Sequence, residues 1–172
     1  MKGLQEAGRQ DYLPRGLLAR AELNRIRNDF PSARRDLDEA YEIATRGSID
    51  NHMRLDECDG HLECCRLILA MHEAGAVLAA QDIDPGSPFA LYQAADRPLS
   101  AAHEHLQRAD ALIKETGYHR RDPEVLLETA HLQIIEGDKE SARKTLAAAK
   151  SKIDEMGCHR WDIDHKKLSD RL

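Results

Sequence analysis

Residues 102–122, AHEHLQRADALIKETGYHRRD, align without a gap on residues 142–162, ARKTLAAAKSKIDEMGCHRWD, at an offset of 40. Nine of the 21 positions are identical: Ala102/Ala142, Leu106/Leu146, Ala109/Ala149, Ile113/Ile153, Glu115/Glu155, Gly117/Gly157, His119/His159, Arg120/Arg160 and Asp122/Asp162. Self-similarity at a fixed period signals a repeat architecture. A second correspondence, at offset 109, lays Ala21, Asp29, Ala33, Leu37 and Ala40 on Ala130, Asp138, Ala142, Leu146 and Ala149. In each unit a small residue is followed twelve positions later by another, then by Leu at +4 and Ala at +7. Small side chains let two antiparallel helices approach closely, and the i, i+4, i+7 stripe faces one side of the second helix.

The pattern predicts an all-α chain of about three helix pairs in a single domain over 1–172. The units are 13–47, 51–117 and 122–157, with a capping helix over 161–172. Pro14 and Pro123 are tolerated in first helical turns, and Gly47, Gly117 and Gly157 are expected left-handed helix ends. Asp122 is expected to cap the following helix. In the middle unit the small crossing residue is expected at Gly60, although Ala102 follows it 42 residues later rather than 12. The extra length includes an insert over 74–98, with Asp84-Pro85-Gly86-Ser87-Pro88 as turn chemistry. Its Phe89, Leu91 and Tyr92 are expected to pack on the outside of the array.

Composition narrows the function. The 172 residues carry 25 Lys and Arg against 31 Asp and Glu, a net charge of −6. That balance argues against a nucleic-acid binder, which needs clustered positive charge. Aromatic residues make up only 4%, and good helix formers dominate, which argues against all-β folds and Rossmann-like enzymes. No apolar run reaches the length of a membrane span, and Met1–Glu6 has no apolar signal core. Cys58, Cys64, Cys65 and Cys158 therefore read as reduced thiols in a cytoplasmic protein. Neither a P-loop pattern nor the spacing of a Ser/His/Asp triad is present, so the expectation is no enzyme and no cofactor.

The small-residue spacing resembles the tetratricopeptide repeat (TPR), an α-solenoid of helix–turn–helix units, with Leu17, Leu37, Leu126 and Leu146 where that family carries larger anchors. Several strings are similar to the C-terminal TPR regions of bacterial NACHT and related STAND-type signalling NTPases. They are Gly3–Gly8, Leu13-Pro14-Arg15-Gly16-Leu17-Leu18-Ala19-Arg20-Ala21, Ala33–Ala44, Met53-Arg54-Leu55, Asp59-Gly60-His61-Leu62-Glu63 and Gly117-Tyr118-His119-Arg120-Arg121-Asp122. The resemblance implies a scaffold or sensor module of a larger bacterial signalling protein, docking a protein or peptide partner.

In such arrays the first helix of each pair lines a concave groove. Counting from Ala21, Gly60 and Ala130, the groove-facing residues are Arg15, Leu18, Glu22 and Arg25; Arg54, Glu57, His61 and Cys64; and Glu124, Leu127, His131 and Ile134. The rival reading is a metal site from Cys58, His61 and Cys65, which lie at i, i+3 and i+7 on one helix stripe. Packing outweighs it, because paired C-x-x-C hooks are missing and Cys behaves as a small apolar residue. The twice-occurring Gly-x-His-Arg-x-Asp reads as a helix stop, a pair of cations at the helix C-terminus and a cap, rather than an ion grip. Six Arg over 14–35 read as a solvated helix face.

Overall fold

The structure, a computed structural model, describes residues 12–46, 51–77, 86–90 and 98–172. Gly47, Leu91, Tyr92 and the string Gly3–Gly8 lie outside them. The described residues form seven α-helices and no strand: α1 Leu13–Ile26, α2 Phe30–Arg46, α3 Asn51–Glu73, α4 Pro98–Thr116, α5 Asp122–Glu136, α6 Lys139–Met156 and α7 Asp162–Ser169. Two 3-10 turns, His119–Arg121 and His159–Trp161, precede α5 and α7. None of these helices is long and apolar enough to cross a membrane.

The most extensive contacts join α1 with α2, α3 with α4, and α5 with α6. Short turns force the first and third pairs to be antiparallel. For the middle pair, partner positions show it: Arg54 meets Glu115, Cys58 meets Ala109 and His61 meets His105, so one number rises as the other falls. Between pairs the numbers rise together. Arg15 meets Asp56 and Arg25 meets Glu63; Asp59 meets Arg121 and Arg66 meets Glu124. Helices α1, α3 and α5 therefore run side by side in one direction.

The 109-residue correspondence extends to the backbone. Asn28 and Gly137 both take the left-handed conformation, at φ of 60° and 85°. The next residues, Asp29 and Asp138, accept the backbone N–H of Ser32 and Ser141 at 3.2 and 3.0 Å. Each carboxylate satisfies an amide that the first helical turn leaves without a partner. Ala21, Ala33, Ala130 and Ala142 are all fully buried, as close helix contact requires.

One core cluster gathers Ala21, Ala33, Leu37, Leu62, Ile68, Ala102, Ile113 and their neighbours from the first two pairs. A second joins α5 and α6 to Trp161. Phe89 of the insert is fully buried in the first cluster, not on the outside. Ser87 places it by donating from Oγ to Asp38 and accepting the Phe89 N–H at 3.0 Å.

Gly60 is not a close-approach residue. It lies buried inside α3, yet a Cβ built on it meets nothing within 4 Å beyond its own helix. The cavity-lining residues of the two helices, Arg15, Leu18, Glu22 and Arg25 of α1 and Asp56, Asp59, Glu63 and Arg66 of α3, correspond at an offset of 41, which sets Leu62 in register with Ala21. Gly60→Ala is therefore expected to stabilise the chain by about 0.5–1 kcal/mol, through lower backbone entropy in the unfolded state. Urea unfolding measures this, and a loss of stability would show that a neighbour needs the bare Cα.

Candidate functional site

The parallel helices α1, α3 and α5 line an open cavity of about 990 Å³, closed at one end by Trp161 and α7. Arg15, Leu18, Glu22 and Arg25 of α1 line it, as do Glu124, Leu127 and His131 of α5, where the sequence places them. Ile134 does not. From α3 the lining is Asp56, Asp59, Leu62, Glu63 and Arg66. Arg54, Glu57, His61 and Cys64 stand elsewhere, and this corrects the sequence-derived groove. Arg54 bonds Glu115 at 2.7 Å and lies 3.6 Å from Glu57, on the face toward α4. His61 and Cys64 are buried in the core. The error is a slip of two residues, caused by taking Gly60 rather than Leu62 as the register mark.

A continuous ion network forms the groove floor. Arg25 Nε donates to Glu63 Oε1 at 2.5 Å, and Arg66 lies 3.5 Å from the other Glu63 oxygen. Arg66 also donates to Glu124 at 2.8 Å and to Glu128 at 2.7 Å, tying α3 to α5. Arg121 donates to Glu124 and to Asp59, and Arg160 reaches Glu124 at 2.9 Å while stacking 4.1 Å above Trp161. On the far side His131 approaches Glu128 at 3.8 Å and Glu73 at 3.2 Å, and Arg171 closes the chain on Glu73 at 2.8 Å.

Burial raises the carboxyls of Glu128, Glu124, Glu63 and Asp59 while neighbouring cations lower them, and the balance differs between them. For Glu128, burial raises the pKa but the charge of Arg66 and the bonds from His131 and Arg66 win, holding it down to about 2. Glu124 is likewise held low by Arg66 and Arg121 against burial. For Glu63 and Asp59 burial wins, and both carboxyls are raised despite their arginine partners. His131 is raised against burial by its two carboxylates. The cavity walls carry seven Arg and Lys against eight Asp and Glu, so the groove is close to neutral. Its accessible rim is Arg15, Glu22 and Ile26 on one side and Asp164, Lys167 and Arg171 on the other.

Cys58, His61 and Cys65 do not converge on a common point. Cys58 Sγ lies 3.7 Å from the Ala109 carbonyl, and His61 Nδ1 pairs with His105 Nδ1 at 2.9 Å. Burial pushes the Cys58 thiol up to about 12 and holds those of Cys64 and Cys65 well above the ordinary thiol value, which favours protonated, packed side chains. Among the described residues, three ligand atoms gather within 4.8 Å only at Asp154, His159 and Asp162. There Lys150 already bonds both carboxylates, at 2.8 and 2.9 Å.

The repeated Gly-x-His-Arg-x-Asp is resolved as a turn. Gly117 and Gly157 are left-handed, at φ of 69° and 61°. Asp122 and Asp162 are first helical residues rather than caps, and each carboxylate holds the preceding His ring, at 3.2 and 3.0 Å. The arginines of 14–35 are largely engaged. Arg15, Arg20, Arg25 and Arg34 pair with Asp56, Asp36, Glu63 and Asp38.

Sequence reasoning missed Asp56, Asp59, Glu63 and Arg66. Their signal was present at offset 41, where Glu22-x-x-Arg25 repeats as Glu63-x-x-Arg66. No family model, curated protein or solved structure matches the chain.

Proposed function

We propose that the chain is a TPR-like α-solenoid segment acting as a non-catalytic protein-interaction module, which takes a peptide or a partner's segment into the groove. The observation that carries this reading is the groove itself: three parallel helices present a concave surface whose floor is already ion-paired. A floor whose charges are paired, with Asp59 Oδ1 and Arg121 Nε its buried atoms lacking a hydrogen bond among the described residues, has little chemistry to perform, while the rim offers mixed charges and Ile26 to a partner. The resemblance of Leu13–Ala21 to bacterial signalling NTPases supports a scaffold or sensor role in a larger signalling protein.

Peptides selected from a random display library on the immobilised chain test the proposal. The double variant Glu22→Lys/Lys167→Glu changes both rims at exposed positions, and is expected to weaken the selected peptides at least tenfold in titration calorimetry. Arg54→Glu, outside the groove, and Lys144→Glu, on α6, are expected to leave binding unchanged. Equal affinity for wild type and the rim variant would sink the proposal.

A further inference from the structure

Tyr12, just before α1, and Gly16, Ala19, Leu23 and Ile26 on it are spaced four, three, four and three residues apart, in a stripe that borders the groove at Ala19 and Ile26. That spacing keeps one stripe facing one partner helix. Yet Tyr12 is 52% exposed, Leu23 44% and Ile26 64%. The same positions are used differently in the later first helices. At offset 109, Gly16, Leu23 and Ile26 correspond to Val125, Leu132 and Ile135 of α5, which pack onto the core of the preceding pairs, Leu132 with no exposure. At offset 41, Leu23 and Ile26 correspond to Cys64 and Leu67 of α3, both buried. At offset 40 from α5, Leu168 and Leu172 pack on the second core. The stripe on α1 is thus built in the register of the internal joints, and among the described residues nothing covers it.

We propose that this face pairs with α1 of a second copy of the chain, antiparallel, across a two-fold axis at Ala19. The ends and the centre of the stripe match themselves in that arrangement, with Gly16 and Leu23 one residue out of direct opposition. Tyr12 falls against Ile26 of the second copy, and the small Ala19 and Gly16 let the backbones approach at the centre. On one flank Arg15, while keeping its bond to Asp56, comes near Glu22 of the other copy. Two-fold symmetry supplies that pairing twice. The area is that of one helix face, so the dimer is weak and forms with rising concentration. The dimer shares Arg15, Glu22 and Ile26 with one rim of the groove, so a second copy and a guest compete for that edge.

Sedimentation equilibrium between about 5 and 500 µM is expected to show a monomer–dimer equilibrium. Leu23→Glu/Ile26→Glu is expected to raise the dissociation constant at least 30-fold while circular dichroism stays unchanged. Ala19→Cys in a Cys158→Ser background is expected to form a disulfide dimer on mild oxidation, since residue 19 meets itself at the axis; Ser100→Cys is the negative control. A monomer at every concentration, with no cross-link through the Ala19→Cys thiol, would overturn the proposal. So would a monomer destabilised by Leu23→Glu, which would mean that residues 2–11 cover the face. Open-ended oligomers abolished by Ile163→Glu would overturn it as well, by showing stacking of α1 on the opposite end.

Discussion

Arg66→Met is expected to lower the unfolding free energy by about 3 kcal/mol, near the low end for leaving buried charges without their partner. Arg66 is the junction of the network, touching Glu63, Glu124 and Glu128 at once. Methionine matches its length and removes the charge, so the loss comes from stranded carboxylates rather than from a cavity. Adding Glu128→Gln to the variant is expected to return part of the stability, because it deletes the most deeply held of those carboxylates. The pH dependence has a definite sign. The folded pKa of Glu128 is depressed to about 2, so its stabilisation is full above the unfolded value near 4.5 and fades as pH falls toward 2. The gap between wild type and Arg66→Met should therefore narrow in acid. Urea titrations at pH 7 and pH 3.5 measure it, and a gap that holds constant would assign the loss to packing.

Acid is expected to destabilise the wild type well before its carboxylates protonate. His61 and His105 face each other in the core, 2.9 Å apart at Nδ1, with Tyr41 packed edge-on against His61 and Phe89 beside His105. Burial above all, then Arg108, lowers His61 to about 4. Burial, His61 and Arg108 lower His105 to about 3. The unfolded chain takes up two protons near pH 6.5 that the folded chain refuses, so stability is present above 6.5 and lost below it. The loss is about 1.4 kcal/mol per pH unit for each histidine, and about 4 kcal/mol between pH 7 and pH 5 for the pair. His131 works in the opposite direction: its pKa is raised, so its contribution is gained as pH falls and offsets part of the loss. His61→Leu/His105→Leu is expected to flatten the profile between pH 7 and pH 5. A wild type equally stable at both values would show that the pair accepts a proton without opening the core.

The pairing of helices was legible because it is written in residue size. Ala21, Ala33, Ala130 and Ala142 are small where two backbones meet, and spacing alone reveals them. The register of α3 was not legible in the same terms. Cys64, Cys65, Leu67, Ile68 and Leu69 are buried on successive faces of the helix, so no apolar stripe stands out, and Gly60 offered a false mark. The groove floor was harder still. Arg66 meets carboxylates about 60 residues away in sequence, and such a contact becomes visible only once α3 and α5 are known to lie parallel. The His–Asp clasp of the repeated motif was within reach, because its three-residue spacing was in view.

The network also has a mechanical consequence. Stacked helix pairs that touch only through apolar side chains can slide and flex like the coils of a spring. Spreading α3 away from α5 must instead pull one guanidinium off two carboxylates and another off Asp59. The joint of α1 with α3 is tied in the same way, by Arg15 to Asp56 and Arg25 to Glu63, so the elasticity of the molecule falls to the terminal helix, where Arg171 holds Glu73. A guest entering the trough would meet a stiff base and one yielding lip, so the work of fitting falls on the edge built by the terminal helix.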